Sequence, residues 1–291
     1  MGRVGRDGRR APADCRSAGR FPSLTVAEGG AFFYWFLKYV AVGPIVKLVF
    51  RPRAVGTEHV PATGAAIIAS NHLSASDWIF MPLSLRRRVT FLAKAEYFTG
   101  TGLKGAAQRV FFAGSGQVPI DRTNASAAED AIRTGIRILT QGRLLGIYPE
   151  GTRSPDGRLF RGKTGVARMT LETGAPVVPV AMVYEPRRVP LPGRLGRVLG
   201  KNMVRVVVRF GEPLDFSRYA GLSGDRFVER SITDEIMYEI MELSGQEYVD
   251  LYGAKVKKSM DTTGVSAREA VGRLQPPPHE AVDRLPSSLA G

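Results

Sequence analysis

Cysteine is almost missing from this chain: Cys15 is the sole one in 291 residues. That excludes a disulfide framework and a cysteine-rich zinc site. Histidine is scarce as well, with only His59, His72 and His279, so a His/Cys metal centre is not expected. No long apolar run goes uninterrupted. The most apolar stretch, residues 31–50, carries Lys38 and Lys47 and is divided by Gly43-Pro44. A clean signal peptide is not expected, because the first 30 residues are polar and rich in Gly and Arg, and no small-residue cleavage site follows the apolar stretch. Arg6 stands where a myristoylation signal needs Ser or Thr. What remains is ordinary globular composition, 44% apolar and 23% charged, which excludes whole-chain disorder and a fibrous repeat.

Acidic residues are the minority: 41 Lys and Arg face 27 Asp and Glu, a net charge of +14. The expected partner is negative, whether nucleic acid, anionic lipid or a phosphorylated substrate. Residues 1–20 alone hold six Arg and two Asp, and residues 1–28 read as a disordered basic arm. Residues 29–53 read as a membrane-associating segment. Twenty residues suffice to span a bilayer, but a lysine at its centre costs roughly 2.5–3.5 kcal/mol on insertion scales. Phe32, Phe33, Tyr34, Trp35 and Phe36 form a cluster suited to a membrane interface. The expectation is two short helices lying in one leaflet, with both lysines snorkelling to the headgroups. A pair of core helices and a true span are the other readings.

From residue 54 to 258 the pattern is that of one α/β domain. Strands are expected at 65–70, 89–94, 117–120, 144–148, 177–183 and 203–210 from their β-branched content. Helices are expected from Asp77, from Ser126 with Glu129 as a capping box to about Gln141, and from Thr164 to Thr173 with Gly174 as the stop. Ile232, Ile236, Ile240 and Leu243 mark a late amphipathic helix. Residues 259–291, rich in Pro, Ser and Ala, are expected to be a disordered tail.

His72 lies between a buried strand and a helix start, where α/β folds place their sites. Asp77 is five residues on. On a regular helix the two side chains would be about 140° apart, and on a strand they would face opposite ways. They meet only if the chain turns between them, and Ser74-Ala75-Ser76 suggests such a turn. An Asp bonded to one ring nitrogen fixes the tautomer and leaves the other nitrogen to take a proton. A structural His–Asp tie is the other reading of this segment. No Gly-x-Ser-x-Gly elbow occurs, so the nucleophile is expected to be a substrate hydroxyl. A second constellation, Tyr148-Pro149-Glu150-Gly151-Thr152-Arg153-Ser154, follows another strand. Arg153 has the rigid fork that grips phosphate, and Gly151 allows close backbone approach. Gly116 to Arg122 repeats the logic of strand end, acid and arginine. Residues 157–164 (GRLFRGKT) match the phosphate-loop pattern letter for letter. No strand directly precedes them, and Leu159 and Phe160 are too bulky for a phosphate cradle, so that match reads as a decoy.

Four motifs in order, Asn71-His72 to Asp77, Gly116 to Arg122, Tyr148 to Arg153, and Ala175-Pro176-Val177-Val178-Pro179-Val180, resemble those of the glycerolipid acyltransferase family. The similarity covers about residues 30–245. Tyr148 stands where the family more often has Phe. The resemblance implies that His72, oriented by Asp77, deprotonates the hydroxyl of a lysophospholipid, which attacks the thioester of acyl-CoA or acyl-carrier protein. It implies that Arg122, Glu150, Gly151, Thr152 and Arg153 bind the glycerol phosphate, with Lys163 adding charge. No metal and no organic cofactor are implied, and nucleic acid is not an expected partner. The expected protein is then an α/β acyltransferase with a mixed central sheet flanked by helices and an N-terminal membrane-associating helical segment. It would sit peripherally or monotopically on the cytoplasmic face of a bacterial plasma membrane, on anionic lipid. Another acceptor, such as glycerol-3-phosphate or a lyso-aminolipid, and a non-catalytic membrane-binding homologue are the alternatives.

Overall fold

The structure is a computed structural model, and it describes residues 29–102, 105–106, 110–112, 115, 117–120, 127–187 and 203–275. Its frame is a seven-stranded sheet: β1 (Arg53–Val55), β2 (Ala66–Ser70), β3 (Val89–Lys94), β4 (Gln117–Ile120), β5 (Leu144–Ile147), β7 (Val177–Arg187) and β8 (Met203–Phe210). The short β6 (Leu159–Phe160) and β9 (Tyr248–Val249) pair separately. The order across the large sheet is β1-β8-β7-β2-β5-β3-β4. β7, β2, β5, β3 and β4 run parallel, so their C-terminal ends share one edge. β8 turns back antiparallel to β7, and β1 pairs parallel with β8.

Both faces of the sheet are covered, and β2 shows why its residues are all apolar or small. Ile67 and Ala69 point into one core with Leu145 and Val177. Ala66 and Ile68 point the other way, into a second core with Leu144, Val178 and Val208. A strand buried on both sides has no polar alternation to show. The first core is closed by α5 (Ala127–Thr140), α6 (Gly165–Thr173) and α7 (Arg226–Ser244), through Ile132, Leu139, Val166, Met169, Ile232, Ile236 and Ile240. These are the residues at helical spacing in the sequence. α6 ends at Gly174 in the left-handed region, as its stop signal requires. The second core is closed by α3 (Asp77–Ser84) and by α2 (Val42–Phe50) through Phe80, Met81 and Val46. α4 (Glu96–Thr99) is a single turn after β3.

The tail expected from residue 259 is corrected by the structure up to Gln275. α8 (Gly253–Thr263) and α9 (Ala267–Leu274) are helices, and Val256, Ala267, Ala270 and Val271 pack on Phe160 and Val249 as a third core. Alanine buries no long side chain, so this packing left little hydropathy signal. Ser126 with its capping box, and residues 276–291, lie outside the described residues.

Residues 29–50 are also corrected. Gly43-Pro44 does not end the helix. α1 (Gly29–Phe36) continues through a π-helical turn, Leu37–Ala41, into α2. Pro44 has no N–H for the regular ladder, and the wider turn accommodates it. Gly43 is then forced against the Lys38 carbonyl, where a Cβ would lie 1.7 Å from the oxygen. Lys38 does not snorkel. It is buried, and its ammonium donates to the carbonyls of Pro82, at 2.7 Å, and Leu85 at the C-terminal end of α3. The rings of Tyr34, Trp35 and Tyr39 surround it. Burial, with the nearby charge of Lys47, pulls its pKa down to about 8. Tyr34 also faces inward, whereas Phe36, Tyr39, Val40, Ile45 and Leu48 are exposed along the outer face. Among the described residues no helix is long and apolar enough to cross a membrane.

Gly43→Ala should destabilise the protein by about 1–3 kcal/mol, the usual cost of forced overpacking. Denaturant midpoints of the two proteins measure it. An unchanged midpoint would contradict the close contact with the Lys38 carbonyl.

Candidate active site

The shared C-terminal edge of the parallel strands gathers the expected residues. β2 leads into Asn71 and His72, and its neighbour β5 leads into Tyr148 to Ser154. Asn71 is fully buried and extends the pairing of β2 with β7: its amide donates to the Met182 carbonyl and accepts from the Met182 N–H. That anchors the next residue, His72, at the sheet's edge.

The chain does turn between His72 and Asp77. Asp77 opens α3 and is wholly buried. Its Oδ2 lies 2.8 Å from His72 Nδ1 and also accepts from the N–H groups of Leu73 and Ser74, at 2.8 and 2.9 Å. Its Oδ1 accepts from the Tyr184 hydroxyl on β7. Four donors satisfy this buried carboxylate and fix its position. With Nδ1 bonded to Asp77, the Nε2 edge of the imidazole is its basic side. The ring lies flat on Tyr148, with centroids 4.0 Å apart and planes 15° from parallel. Stacking needs only the ring, so Tyr in place of Phe preserves it. The Tyr148 hydroxyl is buried, and burial together with the Asp77 charge raises its pKa well above the ordinary phenol value.

Glu150 does not face outward with the other loop residues. It is 1% exposed, and its two oxygens accept from the N–H groups of His72 and Phe160, both at 3.0 Å. A second tie runs back, as Ser154 N–H donates to the His72 carbonyl at 2.7 Å. Glu150 thus binds the two strand-end loops together from beneath, a correction to its expected contact with substrate. Burial raises its pKa to about 7, against the pull of the two amides. Above it, Gly151 adopts φ +70°, which only glycine takes at little cost. The Lys163 side chain crosses Gly151, within 3.0–3.2 Å of where a Cβ would stand. Arg153 is exposed at the tip. The Thr152 hydroxyl accepts from Lys257 on α8, at 3.0 Å. Arg122 lies outside the described residues; β4 ends at Ile120 on the same sheet edge.

The phosphate-loop match resolves as a decoy. Leu159 and Phe160 are wholly buried in β6, and the Phe160 N–H is taken by Glu150. Two site residues escaped the sequence reading, Tyr184 and Lys257. They lie 107 residues from Asp77 and 105 from Thr152, and no local pattern marks either.

Glu150→Gln should cost stability, because an amide NH₂ must face one of the two backbone donors, a loss of about 1–3 kcal/mol. The wild type should also lose stability as pH rises from about 4.5 toward 7, since the folded protein holds the Glu150 proton that the unfolded chain releases. The gap between variant and wild type should therefore be widest near pH 5 and narrow toward pH 8. Urea midpoints at the two pH values report it, and a gap that widened with pH would refute this sign.

Residues 51–183 match the Acyltransferase family, a span that contains the dyad, the loop and Lys163 but neither Tyr184 nor Lys257. A chloroplastic 1-acyl-sn-glycerol-3-phosphate acyltransferase of Arabidopsis thaliana is 32% identical over 60% of this chain and 48% of its own length. The enzyme of that name from Bacillus subtilis is 29% identical over 71% of this chain and 94% of its own. The chain thus spans about half the length of the plant relative and nearly all of the bacterial one. The crystal structure of the 1-acyl-sn-glycerophosphate acyltransferase of Thermotoga maritima covers 73% of this chain and 87% of its own, at a TM-score of 0.47 and 23% identity. The matched span runs through every motif read from the sequence, and residues 51–183 form an Acyltransferase domain similar to those of the 1-acyl-sn-glycerol-3-phosphate acyltransferases.

Proposed function

We propose that the protein transfers a fatty acyl group from acyl-CoA or acyl-carrier protein to the free hydroxyl of 1-acyl-glycerol-3-phosphate, making phosphatidic acid. The observation that carries this reading is the His72 Nδ1–Asp77 bond beside a cationic loop. His72 Nε2 takes the hydroxyl proton as the oxygen attacks the thioester carbonyl. The new C–O bond forms, the C–S bond breaks, and the imidazolium returns the proton to the departing thiolate. Asp77 holds the tautomer and stabilises the imidazolium without taking its proton. Arg153, Lys163 and Arg122 bind the acceptor's phosphate, and the Thr152 hydroxyl adds a donor. The names of the relatives support the acceptor.

The N-terminal helices support a membrane-surface location. Phe36, Val40, Ile45 and Leu48 make an exposed outer apolar face, and Arg51 and Arg53 follow at its end. This face lies in the cytoplasmic leaflet of the plasma membrane, with the arginines at anionic headgroups. On its inner side an apolar cleft between Leu37, Val42, Trp78, Ile79 and Leu83 separates it from α3.

The test is a panel of lysophospholipids offered with acyl-CoA, read as free thiol. Lysophosphatidic acid should be consumed, and His72→Ala should lose about 10²–10⁴ in rate, the contribution of a general base. Near-normal turnover by that variant would sink the catalytic assignment.

Ile45→Glu with Leu48→Glu should abolish sedimentation with anionic vesicles and leave the melting temperature nearly unchanged, because these side chains are 65% and 74% exposed. Retained vesicle binding would remove the membrane role from this face.

A further inference from the structure

The C-terminal helices deliver a cation to the loop after β5. α8 begins against that loop: Gly253 is buried, and a Cβ on it would lie 3.3 Å from Thr152 Cγ2. Val256, one residue before the cation, is locked into the third core against Phe160. Phe160 is in turn tied through its N–H to Glu150. Lys257 is therefore placed by the packing of the turn that precedes it, and its Nζ donates to Thr152 Oγ1 at 3.0 Å.

The charges around it are unbalanced. Lys257 and Arg153 are close enough that Arg153, after burial, lowers the lysine's pKa, and Glu150 and Asp261 only partly oppose this. Lys163 crosses Gly151 in the same loop. The Glu150 carboxylate lies beneath the loop and is spent on backbone donors. Like charges held together at a loop are unfavourable until an anion enters between them. An ammonium has three protons, of which Thr152 takes one. Because Thr152 Oγ1 accepts from the lysine, its own O–H is free to point at a ligand oxygen.

We propose that Lys257 is a phosphate-binding residue of the acceptor site, supplied by α8 from outside the matched family span, and that it grips the acceptor phosphate together with Arg153. The inference rests on the acceptor reading given under Proposed function. Lys257 works in this scheme as a point charge and as the group that orients the Thr152 hydroxyl.

Lys257→Gln and Lys257→Arg test it in the full-length protein. With lysophosphatidic acid, Lys257→Gln should raise the acceptor KM about tenfold or more, the range for a lost charge-assisted hydrogen bond. The acyl-CoA KM should stay within twofold, and Lys257→Arg should restore most of the loss. Inorganic phosphate should compete with the acceptor, and its inhibition constant should rise in Lys257→Gln by a similar factor. A purely structural strut predicts something else: equal losses for both substrates, an unchanged phosphate constant and a lowered melting temperature. That pattern would overturn the proposal, as would an unchanged acceptor KM. The acceptor reading fails separately, on the wild type, if lysophosphatidic acid is not consumed.

Discussion

The Asp77 carboxylate is the group on which the site depends. A wholly buried carboxylate is tolerable only when donors surround it, and here they come from two parts of the chain: His72 and the Leu73 and Ser74 amides from the turn after β2, and Tyr184 from β7. The same four bonds that keep the anion inside also fix the loop's path and aim the imidazole. Removing one partner of a buried pair typically costs 3–5 kcal/mol, so stability and ring orientation are inseparable at this point. The turn predicted from Ser74-Ala75-Ser76 exists because Asp77 draws two backbone N–H groups onto one oxygen.

A second buried carboxylate couples this turn to the rest of the molecule. Glu150 receives His72 N–H on one oxygen and Phe160 N–H on the other. Phe160 belongs to the core closed by α8 and α9. The C-terminal helices thereby support the backbone of the histidine through Phe160 and Glu150. Their loss would expose Phe160 and release one of the two donors that hold Glu150. This gives a physical reason for helices beyond the matched span, separate from the cation that α8 contributes.

How much was legible in the sequence follows from how local each feature is. The dyad lies within six consecutive residues and the loop after β5 within seven, so motif and turn chemistry were enough to find them. β2, β3, β4, β5, β7 and β8 showed in the sequence, whereas the two- and three-residue β1, β6 and β9 are too short to leave a pattern, and α5, α6 and α7 showed through periodicity and stop signals. Glu150 was found but misplaced, because a motif carries residue type and not which side of a loop a carboxylate occupies. Tyr184 and Lys257 were missed because their partners are more than a hundred residues away. α8 and α9 were missed because Val256, Ala270 and Val271 are few and mostly small, a weak pattern beside a Pro-rich end.

Lys38 was read from the same apolar stretch that suggested a membrane, and it shows why such a segment is ambiguous. A lysine in an apolar run has two outlets: the headgroup region, or carbonyls that lack a donor. The last carbonyls of a helix have acceptor capacity to spare, and those of Pro82 and Leu85 at the end of α3 lie where Lys38 reaches them. The π-helical turn rotates Lys38 and Tyr34 inward while Phe36, Val40, Ile45 and Leu48 stay outward. A single helix thus has a protein-facing edge set by one buried ammonium and an exposed apolar face opposite it. Because α3 begins with Asp77 and ends on Lys38, one short helix links the N-terminal helix and its exposed apolar face with the carboxylate bonded to His72.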